Sequence, residues 1–284
     1  VSQALIGDYL TQGPIIKEFE DAFASYVGAK YAVAVTNGTA ALHLSALALS
    51  IKPGDKIITT SLTFAASANC IRYCGGEAVF VDIDPATFLI DIDKVETLLK
   101  NSPAGTYKGI IPVDFAGRPV NLERLKKITN EYGLWIIEDA CHAPGASFTD
   151  SKGEFQKSGN GKFADLAIFS FHPVKHIACG EGGMITTNNE LLYNKLLELR
   201  SHGITRNNEK FLNSIEFATG SSYDVKTYPG WYMEMQTLGF NYRITDFQAA
   251  LGSSQLKRAD YGLMRRRQIA EIYNRSFLGE KFIK

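Results

Sequence analysis

The segment from Ser170 to Lys175 carries the side chains best suited to covalent chemistry. Ser170 ends an apolar run, where its hydroxyl could bind a phosphate, and the amine of Lys175 could form a Schiff base with an aldehyde. Most lysines are solvated surface charges. Lys175 lies between an apolar run and the glycine-rich segment 179–183, so the chemical and the surface interpretations both stay open.

A second candidate is Asp139, which follows the apolar run 134–137, LWII. An unpaired carboxylate is costly in such surroundings, so we expect a cationic partner for Asp139. A protonated pyridine nitrogen is one such partner, and a carboxylate beside it would preserve the ring's capacity to accept electrons. The alternative is an ordinary acidic residue at a helix N-terminus.

Two further segments could contact a phosphorylated aromatic cofactor. In the segment 36–40, TNGTA, Gly38 lets the backbone approach a ligand, and the N–H groups opening the next helix suit a phosphate. A turn with a capping residue explains the same pattern. Phe64, after the next predicted strand, is a core residue by default, although at that position it could stack on a cofactor ring.

These residues need an α/β fold that brings several strand ends to one edge of a sheet, where such proteins bind ligands. Short apolar, β-branched segments alternate with helical segments along the chain. Most of these strands are apolar on both faces, which predicts a mostly parallel sheet covered by helices. The predicted strands are 31–35, 56–59, 77–81, 109–113, 134–138, 166–169 and 184–187.

The composition excludes several classes of protein. The 284 residues are 45% hydrophobic with 30 basic and 30 acidic residues, an ordinary globular balance that excludes disordered and fibrous proteins. Since the net charge is zero and no apolar run could span a membrane, we expect neither a nucleic-acid nor a membrane partner. The scattered cysteines lack zinc-site spacing, so we expect no metal, and reduced thiols in a cytoplasmic protein.

Together these segments resemble the fold-type I pyridoxal-phosphate enzymes, and specifically the DegT/DnrJ/StrS family of nucleotide-sugar aminotransferases. The motifs that carry the resemblance are 11–14 TQGP, 37–41 NGTAA, 82–84 DID, 138–139 ED, 170–175 SFHPVK, 180–183 GEGG and 239–246 GFNYRITD. The resemblance implies an aspartate-aminotransferase-like large domain, a three-layer α/β/α arrangement, over residues 1–240. Residues 241–284 would be a helical segment leading into a small C-terminal domain that is largely absent.

The resemblance also implies roles for the matching residues, with pyridoxal 5'-phosphate as the cofactor. Lys175 would bind the cofactor covalently and act as general base and acid, and Asp139 would pair with the ring nitrogen. The other implied cofactor contacts are Gly38, Thr39, the Ala40 backbone and Ser170 at the phosphate, Phe64 on the ring, His142 near the phenolic oxygen, and Asn241 or Arg243 of a partner subunit, with Asn241 favoured. His172 and Tyr232 would be substrate neighbours, unless both merely pack their loop.

The implied reaction moves an amino group from L-glutamate to the C4 ketone of a nucleotide-linked 4-keto-6-deoxy sugar, in a homodimer with shared active sites. The motifs 171–175, 200–203 and 231–239 look most like the pseudaminic-acid branch, which aminates a UDP-linked N-acetyl sugar. Perosamine-type and bacillosamine-type enzymes share most of these motifs. A non-catalytic relative would not need Lys175, and a nicotinamide-binding fold would need a GxGxxG motif after the first strand.

Overall fold

The computed structural model describes residues 1–220 and 226–280. Its helices are α1 (Ser2–Ile6), α2 (Pro14–Val27), α3 (Gly38–Ala48), α4 (Ala65–Tyr73), α5 (Ile92–Lys100), α6 (Leu122–Tyr132), α7 (Glu190–Arg200), α8 (Ile215–Thr219), α9 (Asp246–Leu256) and α10 (Ala259–Ser276). Its strands are β1 (Tyr31–Val35), β2 (Lys56–Thr60), β3 (Glu77–Val81), β4 (Tyr107–Ile111), β5 (Trp135–Asp139), β6 (Ser147–Thr149), β7 (Phe155–Lys157), β8 (Leu166–Ser170), β9 (Gly183–Thr187), β10 (Ile204–Thr205) and β11 (Glu234–Met235).

A seven-stranded sheet in the order β1-β9-β8-β5-β4-β2-β3 forms the centre of the molecule. The pairs from β8 through β5, β4 and β2 to β3 are parallel. Strand β9 is antiparallel to both of its neighbours, β1 and β8, so the sheet is mixed although mostly parallel. The antiparallel step means that β8 and β9 need no crossover helix, and the loop 171–182 joins them at one edge.

The predicted strands are present, and the bounds of two of them are shifted along the chain, from 109–113 to Tyr107–Ile111 and from 134–138 to Trp135–Asp139. The segment expected at 109–113 pairs from Tyr107, opposite Lys56, and its pairing with β5 begins where Gly109 lies opposite Trp135. A Cβ on Gly109 would lie 2.2 Å from the Trp135 ring, so only glycine fits there. Strand β5 correspondingly extends to Asp139, the residue that the sequence had placed just beyond it.

Helices cover both faces of the sheet, as the three-layer prediction requires. Side chains alternate across each strand, so Ile111 and Ile137 pack with α3, α4 and α7 on one face. Their neighbours Ile110 and Ile136 pack with α5 and α6 on the other. Helices α2 and α9 cover the remaining part of that second face, beside β1 and β8.

The last helices differ in burial. Helix α9 packs closely on α2, where a Cβ on Gly252 would lie 2.6 Å from the Phe19 ring. Most of α10 is exposed, and Ala259 is its buried residue. The predicted boundary at residue 240 stays a prediction, and residues 281–284 of the predicted C-terminal segment lie outside the described ranges. Within the described ranges, no helix combines the length and apolar character needed to cross a membrane.

Candidate functional site

A cavity of about 480 Å³ opens at the edge of the sheet where β5 and β8 end. Seven of the predicted cofactor residues line it, namely Gly38, Thr39, Phe64, Asp139, His142, Ser170 and Lys175. The predicted substrate neighbour His172, from the loop between β8 and β9, lines it too. Strands β1, β2, β5 and β8 run in one direction, so the residues that follow them meet at this edge despite their separation in sequence.

The Asp139 carboxylate is buried and faces this cavity with two neutral donors. Its Oδ2 accepts a hydrogen bond from Ser67 Oγ at 2.7 Å, and its Oδ1 accepts one from the Cys141 N–H at 3.2 Å. It has no ion-pair partner among residues 1–220 and 226–280. No helix begins in the described chain directly after Asp139, so the helix N-terminus alternative is wrong. A buried carboxylate without a cation suits a protonated ring nitrogen.

Lys175 is half-buried at the cavity, in the loop between β8 and β9. Its N–H donates to the His172 carbonyl at 2.8 Å, which closes a turn that holds the residue in the loop. The described part of the chain offers no carboxylate within ion-pair distance of its ammonium. An amine in a cavity without a bound carboxylate is available for an aldehyde.

The start of α3 forms the corner that suits a phosphate. Asn37 caps the helix, its Oδ1 accepting from the Ala40 N–H at 2.8 Å, so the capping interpretation of 36–40 is correct. The N–H groups of Gly38 and Thr39 precede the first helical hydrogen bond and point out of the helix end. Ala40 does not line the cavity, and its phosphate contact stays a prediction.

Gly38 permits this corner to form against Ser170. A Cβ on Gly38 would lie 3.0 Å from the Ser170 Cβ, so a larger residue would separate the helix end from that hydroxyl. Ser170 Oγ accepts a long hydrogen bond, 3.4 Å, from the His172 N–H. The hydroxyl and the helix end therefore face the same space, and the residues present fit a phosphate.

Phe64 and His142 present aromatic rings to the cavity. Phe64 is 77% exposed, so the default interpretation as a core residue is wrong. His142 Nδ1 accepts from the Ala116 N–H at 3.3 Å, and its ring meets that of Phe115 edge to face. Burial lowers the pKa of His142 below its usual value, and the charge of Lys175 lowers it further against the opposing effect of Asp139. His142 is therefore a neutral hydrogen-bonding group at neutral pH.

Besides Ala40, three predicted residues lie outside the cavity. Asn241 is exposed, and its backbone pairs with Ser201 in an isolated antiparallel β-bridge. The backbone of Arg243 pairs in the same way with Val35 on β1. Their predicted contribution to a partner subunit's site stays a prediction. The hydroxyl of Tyr232 donates to Glu234 at 2.9 Å, and its ring stacks on Tyr228 and meets Phe211, so Tyr232 packs its own loop. Its predicted substrate contact stays a prediction.

Sequence reasoning missed Ser67, Cys141 and Phe115. Ser67 lies in the first turn of α4, and its only signal was a serine in an alanine-rich segment after Phe64. Burial and the Asp139 charge raise the pKa of Cys141 well above its usual range, so it is a neutral thiol that fills the wall of the cavity. The described residues contain no group of three or more His, Cys, Asp or Glu side chains that could hold a metal.

Comparison with known proteins gives consistent matches over the chain. A model of the DegT/DnrJ/EryC1/StrS aminotransferase family matches residues 1–282. The chain is 39% identical, over 98% of its length, to UDP-4-amino-4,6-dideoxy-N-acetyl-beta-L-altrosamine transaminase of Campylobacter jejuni. It is 38% identical, over 96% of its length, to GDP-perosamine synthase of Caulobacter vibrioides. The chain spans about 65% of the length of these curated relatives.

A solved structure confirms the predicted fold class. Helicobacter pylori PseC, an aminotransferase involved in the biosynthesis of pseudoaminic acid, superimposes with a TM-score of 0.81 at 30% identity. The match covers 99% of this chain and 67% of that one. Other solved chains of this fold include forms with pyridoxal phosphate and pyridoxamine phosphate.

Proposed function

Because the chain belongs to the DegT/DnrJ/EryC1/StrS aminotransferase family, we propose that it is a pyridoxal-phosphate-dependent transaminase of nucleotide-linked sugars. The observation that carries the proposal is that Asp139 and Lys175 line one cavity together with Gly38 and Thr39, whose backbone N–H groups are at the start of α3. Pyridoxal phosphate, when bound, supplies a ring that accepts electrons from the substrate carbon.

Each residue of the cavity has a distinct task in this proposal. Asp139, supported by the Ser67 hydroxyl, holds a proton on the ring nitrogen and so keeps the ring electron-poor. Lys175 would hold the cofactor through its Nζ, and the same amine would serve as general base and acid for a proton at the substrate carbon. Ser170 and the amides of Gly38 and Thr39 bind the phosphate. Phe64 covers one face of the ring, which would bury its exposed surface.

The proposed substrate is a UDP-linked N-acetyl 4-keto-6-deoxy sugar, which receives an amino group at C4 with L-glutamate as the donor. The likeness to the Campylobacter jejuni transaminase supports this substrate. The second candidate is a GDP-linked 4-keto sugar of the perosamine type, supported by the nearly equal identity to the Caulobacter vibrioides enzyme. The proposed assembly is a homodimer in which Asn241, with Arg243 nearby, reaches the partner's phosphate corner.

Borohydride trapping tests the cofactor chemistry directly. Purified protein mixed with pyridoxal phosphate should show a visible absorption band, and reduction should fix the cofactor on the peptide that contains Lys175. Lys175→Ala should lose the band, and the control Lys152→Ala, at an exposed position, should keep it. A cofactor fixed on another lysine, or no fixation in folded protein, would count against the proposal.

A second experiment separates the two substrates. Protein carrying the amine form of the cofactor is mixed with UDP-linked or GDP-linked 4-keto-6-deoxy sugar, and return of the aldehyde form is followed by absorption. Faster return with the UDP-linked N-acetyl sugar supports the first candidate. The reverse order would assign the perosamine type.

A further inference from the structure

Two buried carboxyl groups lie directly behind the cavity, outside the roles assigned above. Asp114 follows β4 and has no exposed surface, and Glu138 on β5 is 2% exposed. Glu138 precedes Asp139, and successive side chains of a strand point to opposite sides. Asp139 therefore faces the cavity, while Glu138 points to the interior, towards Asp114 and Gly159.

The hydrogen bonds around the pair leave one oxygen without a donor. Asp114 accepts from the Val120 N–H at 2.9 Å through Oδ1 and from Ser158 Oγ at 2.7 Å through Oδ2. Glu138 accepts from the Gly159 N–H at 3.0 Å through Oε2. Its Oε1 is buried and makes no hydrogen bond to the described residues, while the Asp114 carboxyl and the Ser158 hydroxyl, which donates to Asp114, both lie beside the Glu138 carboxyl.

Two ionised carboxylates would be unstable in this position. Neither group has an ion-pair partner in residues 1–220 and 226–280. Two neighbouring carboxyl groups inside a protein cannot both ionise without a large cost in free energy. A proton on Glu138 Oε1 would remove one charge and also supply the missing donor.

We propose that Asp114 and Glu138 share one proton, carried on Glu138 Oε1 and donated to Asp114, and that this pair positions the loop 115–120 at the cavity. The loop closes on Asp114 through the Val120 N–H, and the Gly117 N–H donates to the Asp114 carbonyl. Within it, Phe115 lines the cavity and the Ala116 N–H donates to His142. The pair is thus connected to a cavity residue by one loop.

The surroundings favour this protonation state. Burial raises the pKa of both groups, and the repulsion between them raises that of Glu138 well above its usual range. Asp139, on the cavity side of β5, is close enough that its charge raises the pKa of Asp114 further. Strand β8 presents Ala167 opposite Glu138, and Arg118 of the loop is exposed.

The shared proton gives a signed prediction for stability. The folded state binds this proton more tightly than the unfolded chain, whose carboxyls have pKa values of about 4. The contribution is therefore complete below about pH 4 and is lost as the pH rises through the folded pKa. Across that window one shared proton changes the unfolding equilibrium constant by about tenfold per pH unit.

The decisive variant is Glu138→Gln, whose amide donates permanently to Asp114 and cannot titrate. The free energy of unfolding of cofactor-free protein is measured with urea at several pH values between about pH 5 and pH 8. The slope of this free energy against pH should be smaller in Glu138→Gln than in wild type, by the amount that one proton contributes. The matched control is Glu131→Gln, an exposed glutamate on α6, which should keep the wild-type slope. An unchanged slope in Glu138→Gln, or a loss of stability at every pH, would overturn the proposal.

Infrared spectroscopy of the wild type makes the test independent of any variant. A protonated carboxyl absorbs apart from ionised ones, so one such band should persist at neutral pH in folded protein and be absent from folded Glu138→Gln. Absence of the band in wild type would also overturn the proposal. Only the link between the carboxyl pair and the cavity rests on the proposed function. Neither urea unfolding nor infrared spectroscopy needs the cofactor, so both would still test the shared proton if the borohydride experiment failed.

Discussion

At the scale of single residues, Asp139 differs from the chain's other acidic groups in what surrounds it. Most of the ion-paired carboxylates lie at the surface beside lysine or arginine, as in the exposed pair of Lys94 with Asp82. Asp139 instead accepts hydrogen bonds from a serine hydroxyl and one backbone N–H, and the rest of its hydrogen-bonding capacity faces the cavity. An aspartate is therefore solvated at position 82, whereas the aspartate at position 139 is available for a buried cation.

The Ser67 hydroxyl should matter for cofactor binding although it is not among the residues that line the cavity. Ser67→Ala leaves Asp139 with one donor, and loss of a hydrogen bond to a charged group costs roughly 1.5–3 kcal/mol. We expect affinity for pyridoxal phosphate to fall at least about tenfold, measured by absorption titration. Ser25→Ala, on the exposed face of α2, is the control, and equal affinity in the two variants would contradict the prediction.

At the scale of elements, one buried ion pair joins α2, β1 and α7. Glu20 on α2 accepts from the Ala34 N–H of β1 at 2.9 Å and from Arg200 of α7 at 2.6 Å. Arg200 also donates to the Ala34 carbonyl at 2.7 Å. Because β1 leads into the start of α3, this pair supports the strand that delivers the phosphate corner.

Breaking this pair should destabilise the fold strongly. Arg200→Met leaves the Glu20 carboxylate buried without its cation, which costs about 3–5 kcal/mol. The exposed pair of Lys17 with Asp21, on the same helix α2, is the control, and Lys17→Met should change stability by less than about 0.5 kcal/mol. Urea unfolding at neutral pH measures both, and equal losses would show that burial does not decide the cost.

At the scale of the whole molecule, the strand order creates the site. Strand β9 lies between β1 and β8, so the β1 end with α3 meets Ser170 across one intervening strand. The exposed Asn241 lies outside the cavity of its own chain, so any role in the site, as proposed, would be in the cavity of a partner subunit.

Mixing two inactive variants tests that sharing. If Asn241 serves the partner's site, Lys175→Ala and Asn241→Ala subunits, unfolded together and refolded, should form heterodimers with one intact site each. Random pairing then restores about a quarter of the sites, measured as cofactor fixed by borohydride. The separately refolded variants are the controls. No recovery in the mixture would place Asn241 in its own chain's site or outside any site.

The sequence by itself determined the alternation of strands and helices, because the spacing of apolar residues depends only on local geometry. It also singled out Asp139 and Lys175, since each stands at the end of an apolar run or beside a glycine turn where a charge is unusual. The direction of β9 was not readable, because an apolar strand has the same pattern in either direction.

Only the tertiary structure decided which distant groups meet. The Ser67 hydroxyl reaches Asp139 from 72 positions away, and Glu138 meets Asp114 because β4 and β5 are neighbours. Phe64 is exposed because it lies at the cavity and not in the core. Tyr232 instead packs against aromatic neighbours in its own loop. Hydrogen bonds and burial depend on strand order and register, which local periodicity does not encode.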